Sequence, residues 1–340
     1  MLSFMPFNRA FAAALAVLLA AQPTAVAARG YRHYVEGTLR GPAPAKVEGG
    51  LLLMGGGDRS QDALRWFFAK AGHGHIVILR ASQKGEIGKE FMREIGGIRS
   101  AETFVIEDRS AAYDARVLAA LRAADGIFLS GGDQARYVRR WGGTPIAAII
   151  DAHVAAGKPL GGTSAGLAVL GEYLYGAMDD GSITSAEALS DPFGPHTTIE
   201  RDFLHLAALR GVITDSHFKE RDRLGRLFAF VAKAQSMQAP GARALLGLGI
   251  DENAAMTVEP DGTAQVYAAA PDGGAWLVDG ETLRIAPSPG PLIVSRIRVT
   301  GIGPASRLHL PDGRIERPTF IRDYAVEGNA AKVLRELPAP

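Results

Sequence analysis

Between residues 49 and 163 the chain alternates short apolar runs with longer segments of mixed polarity. GGLLLMGGG (49–57), HIVILRAS (75–82), AETFVIE (101–107) and GIFLSGGDQ (126–134) each read as one buried strand. The stretches at about 61–71, 114–123 and 145–156 read as helices between them. This rhythm predicts an α/β fold, a three-layer sandwich around a mainly parallel sheet. A further strand, GVITDSHF (211–218), leads into KERDRLGRLFAFVAKA (219–234), an amphipathic helix whose core face is Leu224, Leu227, Phe228 and Val231.

After about Leu245 the texture changes to short strands broken by Pro-Asp-Gly and Asp-Gly turns, which predicts an antiparallel β-rich extension of the same domain. The expected division is a signal peptide at 1–27, an N-terminal linker at 28–48, the main domain at 49–286 and a Pro- and Gly-rich extension at 287–340. The first segment has Arg9 before an apolar run from about Phe11 to Ala21, then Ala25-Val26-Ala27. That is the pattern of a cleaved secretory signal, so the expectation is export to the periplasm or the medium. The apolar run is shorter than the roughly 20 residues of a membrane span, and no membrane association is expected after cleavage.

Composition narrows the chemistry. The 340 residues carry a formal net charge of +1 and 47% hydrophobic side chains, enough for a large core. Clustered Lys/Arg runs are missing, which argues against a nucleic-acid partner. With no cysteine, disulfides, a lipidated anchor and a thiol nucleophile are excluded. There is no H-E-x-x-H and the histidines are scattered, so neither a metal nor another cofactor is expected.

One motif carries a nucleophile's signature. Gly162-Thr163-Ser164-Ala165-Gly166 fits G-x-S-x-G, in which a strained strand-to-helix turn lifts the serine oxygen into a cleft. Here the strand would end near Gly161, and LAVLGEYLYG would form the helix whose free N-terminal amides face a developing oxyanion. An inert serine in a Gly-rich turn has the same sequence, so the partners decide.

Four histidines follow Ser164. His205 and His309 sit in apolar or alternating runs and read as structural, and His196 lies in a polar loop. His217 closes a predicted strand, where open α/β sheets place their ligand crevice. For the acid that orients the imidazole, spacing leaves the carboxylates between Ser164 and His217 open. Asp215 shares a strand face with His217 and is ambiguous between triad member and substrate ligand. Lys219, Arg221, Arg223 and Arg226 follow, interleaved with Glu220 and Asp222. Such a charge run is ordinarily a solvated face, yet cations oppose the dipole in a first helical turn. Arg221 and Arg223 beside a catalytic histidine suit a substrate carboxylate.

GGTSAGLAVL, SGGDQ and DSHFKERDRLGRL together resemble the serine peptidase family that contains cyanophycinase and the aspartyl dipeptidases, over roughly residues 49–259. The resemblance implies a fold similar to class I glutamine amidotransferases, flavodoxin-like in its layers, and suggests a homodimer. It implies Ser164 as nucleophile, His217 as base, and the amides of Ala165 and Gly132 as oxyanion donors. Gln134, Asp215, Arg221, Arg223 and Arg226 would bind substrate. The triad acid would be a glutamate in a loop after the nucleophile helix. The corresponding ITSAEALSDPFG is altered, with Glu187 the nearest match and Asp179, Asp180 and Asp191 as alternatives. The expected activity is exopeptidase release of β-Asp-Arg dipeptides from cyanophycin, a polyaspartate with arginine on each side-chain carboxyl. A dipeptidase acting on short Asp-containing peptides and a non-catalytic peptide-binding protein are the alternatives.

Overall fold

The computed structural model describes residues 30–82, 87–179, 181–271, 273–283 and 290–338. The signal-like segment 1–27 lies outside them. Six strands come from the first half: β1 (Tyr31–Gly37), β2 (Gly50–Met54), β3 (His75–Arg80), β4 (Ser100–Ile106), β5 (Gly126–Leu129) and β6 (Pro159–Thr163). β4, β3, β5, β6 and β2 lie side by side in that order, every pair parallel. Both faces are apolar, as a covered parallel sheet requires. Leu52, Ile76, Ile78 and Phe128 pack on the helix Gln61–Lys70, and Leu53, Val77, Leu79 and Ile127 on the helices Ala115–Ala123 and Pro145–Ala155. Ser60 and Asp114 start two of these helices by accepting backbone N–H bonds.

The linker expected at 28–48 contains a strand instead. β1 pairs antiparallel with β4 from Tyr31 opposite Ile106 to Gly37 opposite Ser100. His33 Nε2 lies 2.7 Å from Glu102 Oε1 and its ring stacks near Phe104, which ties this edge down.

The remaining strands are β7 (Tyr173–Tyr175), β8 (Ile199–Arg201), β9 (Val212–Asp215), β10 (Leu246–Ile250), β11 (Ala255–Val258) and β12 (Thr263–Tyr267). They continue as β13 (Ala275–Asp279), β14 (Val294–Ile302), β15 (Arg307–His309), β16 (Arg314–Glu316), β17 (Phe320–Glu327) and β18 (Ala330–Leu337). β11, β12, β15 and β16 add antiparallel beyond β2, extending the first sheet to ten strands. The others form a second sheet of eight, ordered β18-β17-β14-β13-β10-β9-β7-β8. The architecture is therefore mixed α/β, parallel only at its centre. Of the segment expected as a C-terminal extension, Val294–Leu337 contributes strands to both sheets. No helix of the described residues is long and apolar enough to cross a membrane.

Two helices are shorter than periodicity predicts. The one after Ser164 covers only Ala165–Ala168, because the chain turns at 171–172 and Tyr173 pairs with Ile213 to begin the second sheet. The one after His217 begins at Leu224. His217 (φ 47°) and Asp222 (φ 46°) both take left-handed backbone angles, which interrupt a helix.

A buried carboxylate fastens the far edge of the second sheet. Asp323, 1% exposed, accepts from Arg298 Nε at 3.1 Å and Arg335 Nε at 3.0 Å, with Arg296 Nε 3.1 Å away. These cations come from β14 and β18, the two neighbours of β17. Asp323→Ala is expected to lower the unfolding free energy by about 2 kcal/mol in urea titration, the scale of lost hydrogen bonds to charged groups. A change below about 0.5 kcal/mol would contradict the role of this cluster.

Candidate active site

Ser164 leaves β6 with φ 54° and ψ −117°, a conformation that costs a non-glycine residue about 1–3 kcal/mol. The glycines on either side make the turn possible. A Cβ on Gly166 would stand 2.1 Å from the Leu129 carbonyl oxygen, and one on Gly162 would stand 2.5 Å from that of Gly166. No side chain fits at either place, which accounts physically for G-x-S-x-G here.

Ser164 Oγ lies 2.7 Å from His217 Nε2. His217 Nδ1 is hydrogen-bonded to Glu252 Oε1. With Nδ1–H donating to the carboxylate, Nε2 is left as an acceptor facing the serine hydroxyl. The three residues come from the C-terminal ends of β6, β9 and β10, the crevice side of the sheets.

Three consecutive carbonyls hold this group together. Met54 O accepts from Ser164 N at 3.0 Å, Gly55 O from His217 N at 2.8 Å, and Gly56 O from Asn253 N at 2.8 Å. Asn253 follows Glu252, and its side-chain oxygen accepts from Asp58 N at 2.6 Å. The loop after β2 therefore binds the backbone beside each member. Gly56 (φ 108°) also forms the bed of the imidazole, since a Cβ there would lie 2.2 Å from His217 Cε1.

Burial pushes the His217 pKa below its ordinary value, and Arg221 and Arg223 push the same way against the raising effect of the Glu252 carboxylate. The imidazole is thereby kept neutral, the form that can accept a proton. Glu252 is oriented in turn, its amide donating to Glu220 Oε2 at 2.8 Å and Arg221 Nε lying 3.6 Å from its carboxylate.

Glu187 does not occupy the acid's position. Its carboxylate accepts from Thr184 N at 2.8 Å and Thr184 Oγ1 at 2.7 Å, closing a capping box on the helix Ser185–Ser190. Those bonds hold its pKa below the usual carboxylate range. Asp179 is paired with His196 at 2.7 Å, and the Asp191 backbone carbonyl accepts from Gly194 N and Thr197 Oγ1. Asp180 lies outside the described residues. Reading only the carboxylates between serine and histidine missed Glu252. The signal was the apolar run LGLGI followed at once by Asp251-Glu252, a carboxylate at the end of the next strand.

The remaining expected residues divide into two groups. Asp215 and Arg226 are almost fully buried, and Arg226 grips Asp215 with Nε at 2.7 Å and Nη2 at 2.5 Å. Arg223 adds Nη1 contacts to Ser216 O at 2.7 Å and Asp215 Oδ1 at 3.4 Å, and burial lowers its pKa to about 10. These three satisfy one another beneath the histidine turn, and Arg221 alone of the arginines is exposed there. On the opposite side the SGGD turn lies against the nucleophile, with a Cβ on Gly131 placed 3.3 Å from Ser164 Cβ. Gly132 borders Ser82, and Gln134 opens the helix Gln134–Trp141 from the same turn. Ala165 is the first residue of the helix that follows the serine. His205 pairs with Asp151 and His309 with Glu316, away from Ser164.

A family model described as peptidase family S51 matches residues 101–266. The cyanophycinase of Trichormus variabilis is 30% identical over 282 residues, covering 78% of this chain and 87% of that protein. That of Synechococcus elongatus is 33% identical over 230 residues, covering 64% and 65%. Among solved structures, a peptidase from an acI-B1 Actinobacterium aligns with a TM-score of 0.49 at 16% identity, covering 79% of this chain and 96% of the other.

Two substitutions separate the carboxylates. Glu252→Gln should cost roughly 10³–10⁴-fold in kcat by removing the group that steadies the imidazolium, whereas Glu187→Ala should leave kcat/KM unchanged; the reverse order in steady-state assays would refute the assignment. Gly56→Ala should fold yet lose at least about 100-fold in kcat/KM, because the new methyl displaces the imidazole. Unchanged kinetics would show that the ring is not seated on this glycine.

Proposed function

We propose, since the chain belongs to peptidase family S51 and is a serine-type peptidase, that it hydrolyses cyanophycin to β-Asp-Arg dipeptides through an acyl-enzyme on Ser164. The observation that carries the mechanism is the continuous hydrogen-bonded line from Ser164 through His217 to Glu252. His217 Nε2 takes the Ser164 proton as Oγ attacks the aspartyl carbonyl carbon. Negative charge moves onto the carbonyl oxygen, toward the amides of Ala165 and the SGGD turn. The imidazolium then protonates the leaving nitrogen, and the C–N bond breaks. Water, deprotonated by His217, attacks the ester and returns the serine hydroxyl with a free carboxylate on the product. Glu252 keeps its negative charge throughout and steadies the imidazolium between the two transfers.

The substrate reading rests on the two cyanophycinase relatives and on a site bordered by groups of both signs. Arg221 stands exposed beside the triad, with the exposed Glu220 next to it and also bonded to the Glu252 amide. A polymer whose every repeat bears a carboxylate-derived backbone and a guanidinium matches that mixture. The sequence of residues 1–27 supports action outside the cytoplasm.

Purified protein incubated with insoluble cyanophycin should release soluble β-Asp-Arg, and Ser164→Ala should abolish both this release and fluorophosphonate labelling. Hydrolysis of Asp-X or β-Asp-X dipeptides without any release from polymer would favour the dipeptidase reading. A folded chain that takes no label would favour a binding protein. Because His217 must be neutral to act and its pKa is lowered, kcat/KM should fall only as pH drops through a value below 6.5. Glu252→Gln removes a raising influence, so the limb should move to still lower pH. A limb centred above pH 7 would contradict the burial argument.

A further inference from the structure

We infer that the groove between the histidine turn and the C-terminal hairpin is a second binding site, which holds a guanidinium and a carboxylate of the substrate chain beyond the bond being cut. The inference rests on the zwitterionic-polymer reading above. The stretch that leaves His217, from Phe218 to Gly225, forms one side of a cavity of about 410 Å³. Trp276, Tyr324 and residues 329–331 form the other side. Phe218 follows His217 directly in the chain, so one continuous segment carries both the general base and the near wall of the groove.

Its chemistry matches a repeat with one charge of each sign. Lys219 and Asp222 are exposed and border the groove, and neither ammonium nor carboxylate has an ion-pair partner among the described residues. Arg223, the third charge there, is already committed to Ser216 and Asp215. Trp276 is half-buried and fixed. Its Nε1 donates to Asp251 Oδ1 at 3.0 Å, and its ring packs 5.9 Å from Phe218 and 4.8 Å from Phe320. Asp251 also accepts from Lys219 N at 3.1 Å, so one buried carboxylate sets both the aromatic and the cationic border of the groove. An indole face and a free carboxylate together favour a guanidinium, by stacking and by paired N–H bonds. Lys219 suits the accompanying carboxylate.

The far wall is held independently. Tyr324 and the two-residue turn Gly328-Asn329 belong to the β17–β18 hairpin, which the Asp323 cluster clamps to β14. Residues 276 and 324–331 also lie outside the segment 101–266 that the family model matches. The near wall of the groove thus lies inside the matched segment and the far wall outside it.

The test uses the full chain carrying Ser164→Ala, and isothermal titration with soluble (β-Asp-Arg) oligomers of one and three repeats. Asp222→Asn and Trp276→Leu should each weaken binding of the three-repeat oligomer about 10-fold while leaving the single repeat unchanged. Affinity for three repeats that is equal in all variants, or an equal loss for one and three, would overturn the proposal. Asp222 is exposed, so its variant decides the matter even where the tryptophan variant fails to fold. Digestion by the wild-type chain separates the two readings. Groove-dependent oligomer binding without polymer cleavage would refute the substrate assignment alone. Cleavage with variant-independent binding would refute the groove alone.

Discussion

The backbone of residues 54–56 is the constraint on which the rest depends. Three successive carbonyls, from Met54, Gly55 and Gly56, each accept one N–H from the segments bearing Ser164, His217 and Glu252 in turn. All three segments are bent unfavourably, with positive φ at Ser164, His217 and Asn253. Such bends cost about 1–3 kcal/mol apiece, more than one net hydrogen bond of about 1 kcal/mol returns. The deficit is met by the sheet itself. β2 is hydrogen-bonded on one side to β6 and on the other to β11, and its Leu52 and Leu53 are fully buried. Apolar burial therefore holds the strained turns in place, and the strain aims the side chains.

What could be read in the chain, and what could not, follows from the same division. The parallel core was legible because fully buried strands are apolar throughout and helices fill the intervals. The elbow was legible because only glycine fits at 162 and 166. Both are local facts. Glu252 was hidden because it acts across a distance of 35 positions from His217, and nothing in a spacing rule distinguishes it from the other acids. The shortened helices after Ser164 and His217 were hidden for another reason. Apolar periodicity carries no trace of a left-handed angle at a serine, a histidine or an aspartate. β1 was missed because His33, Tyr34 and Glu36 give the edge strand a polar look, and only Tyr31 is deeply buried.

Asp215, Arg223 and Arg226 show how a charged motif can serve two ends. Read along the chain, DSHFKERDRLGRL offers a row of ligands for an acidic group. In the fold, Asp215 and Arg226 neutralise each other below the histidine, Arg223 ties Asp215 to the Ser216 carbonyl, and Arg221 stays outside. The motif is thus a buried foundation with one exposed cation, and its distinctiveness comes as much from bearing the turn as from meeting a ligand.

The carbonyl hub also fixes how much of the chain must be assembled to bring Ser164 to His217. Ser164 meets His217 only after a loop of 53 positions closes, and neither is oriented until β2, more than a hundred positions before Ser164, has inserted between β6 and β11. Closing such long loops carries an entropy cost that local contacts do not. Without β2 between β6 and β11, the backbone bonds that hold Ser164 and His217 side by side have no acceptors. The meeting of Ser164 with His217 is thus a property of the assembled sheet and not of either turn alone.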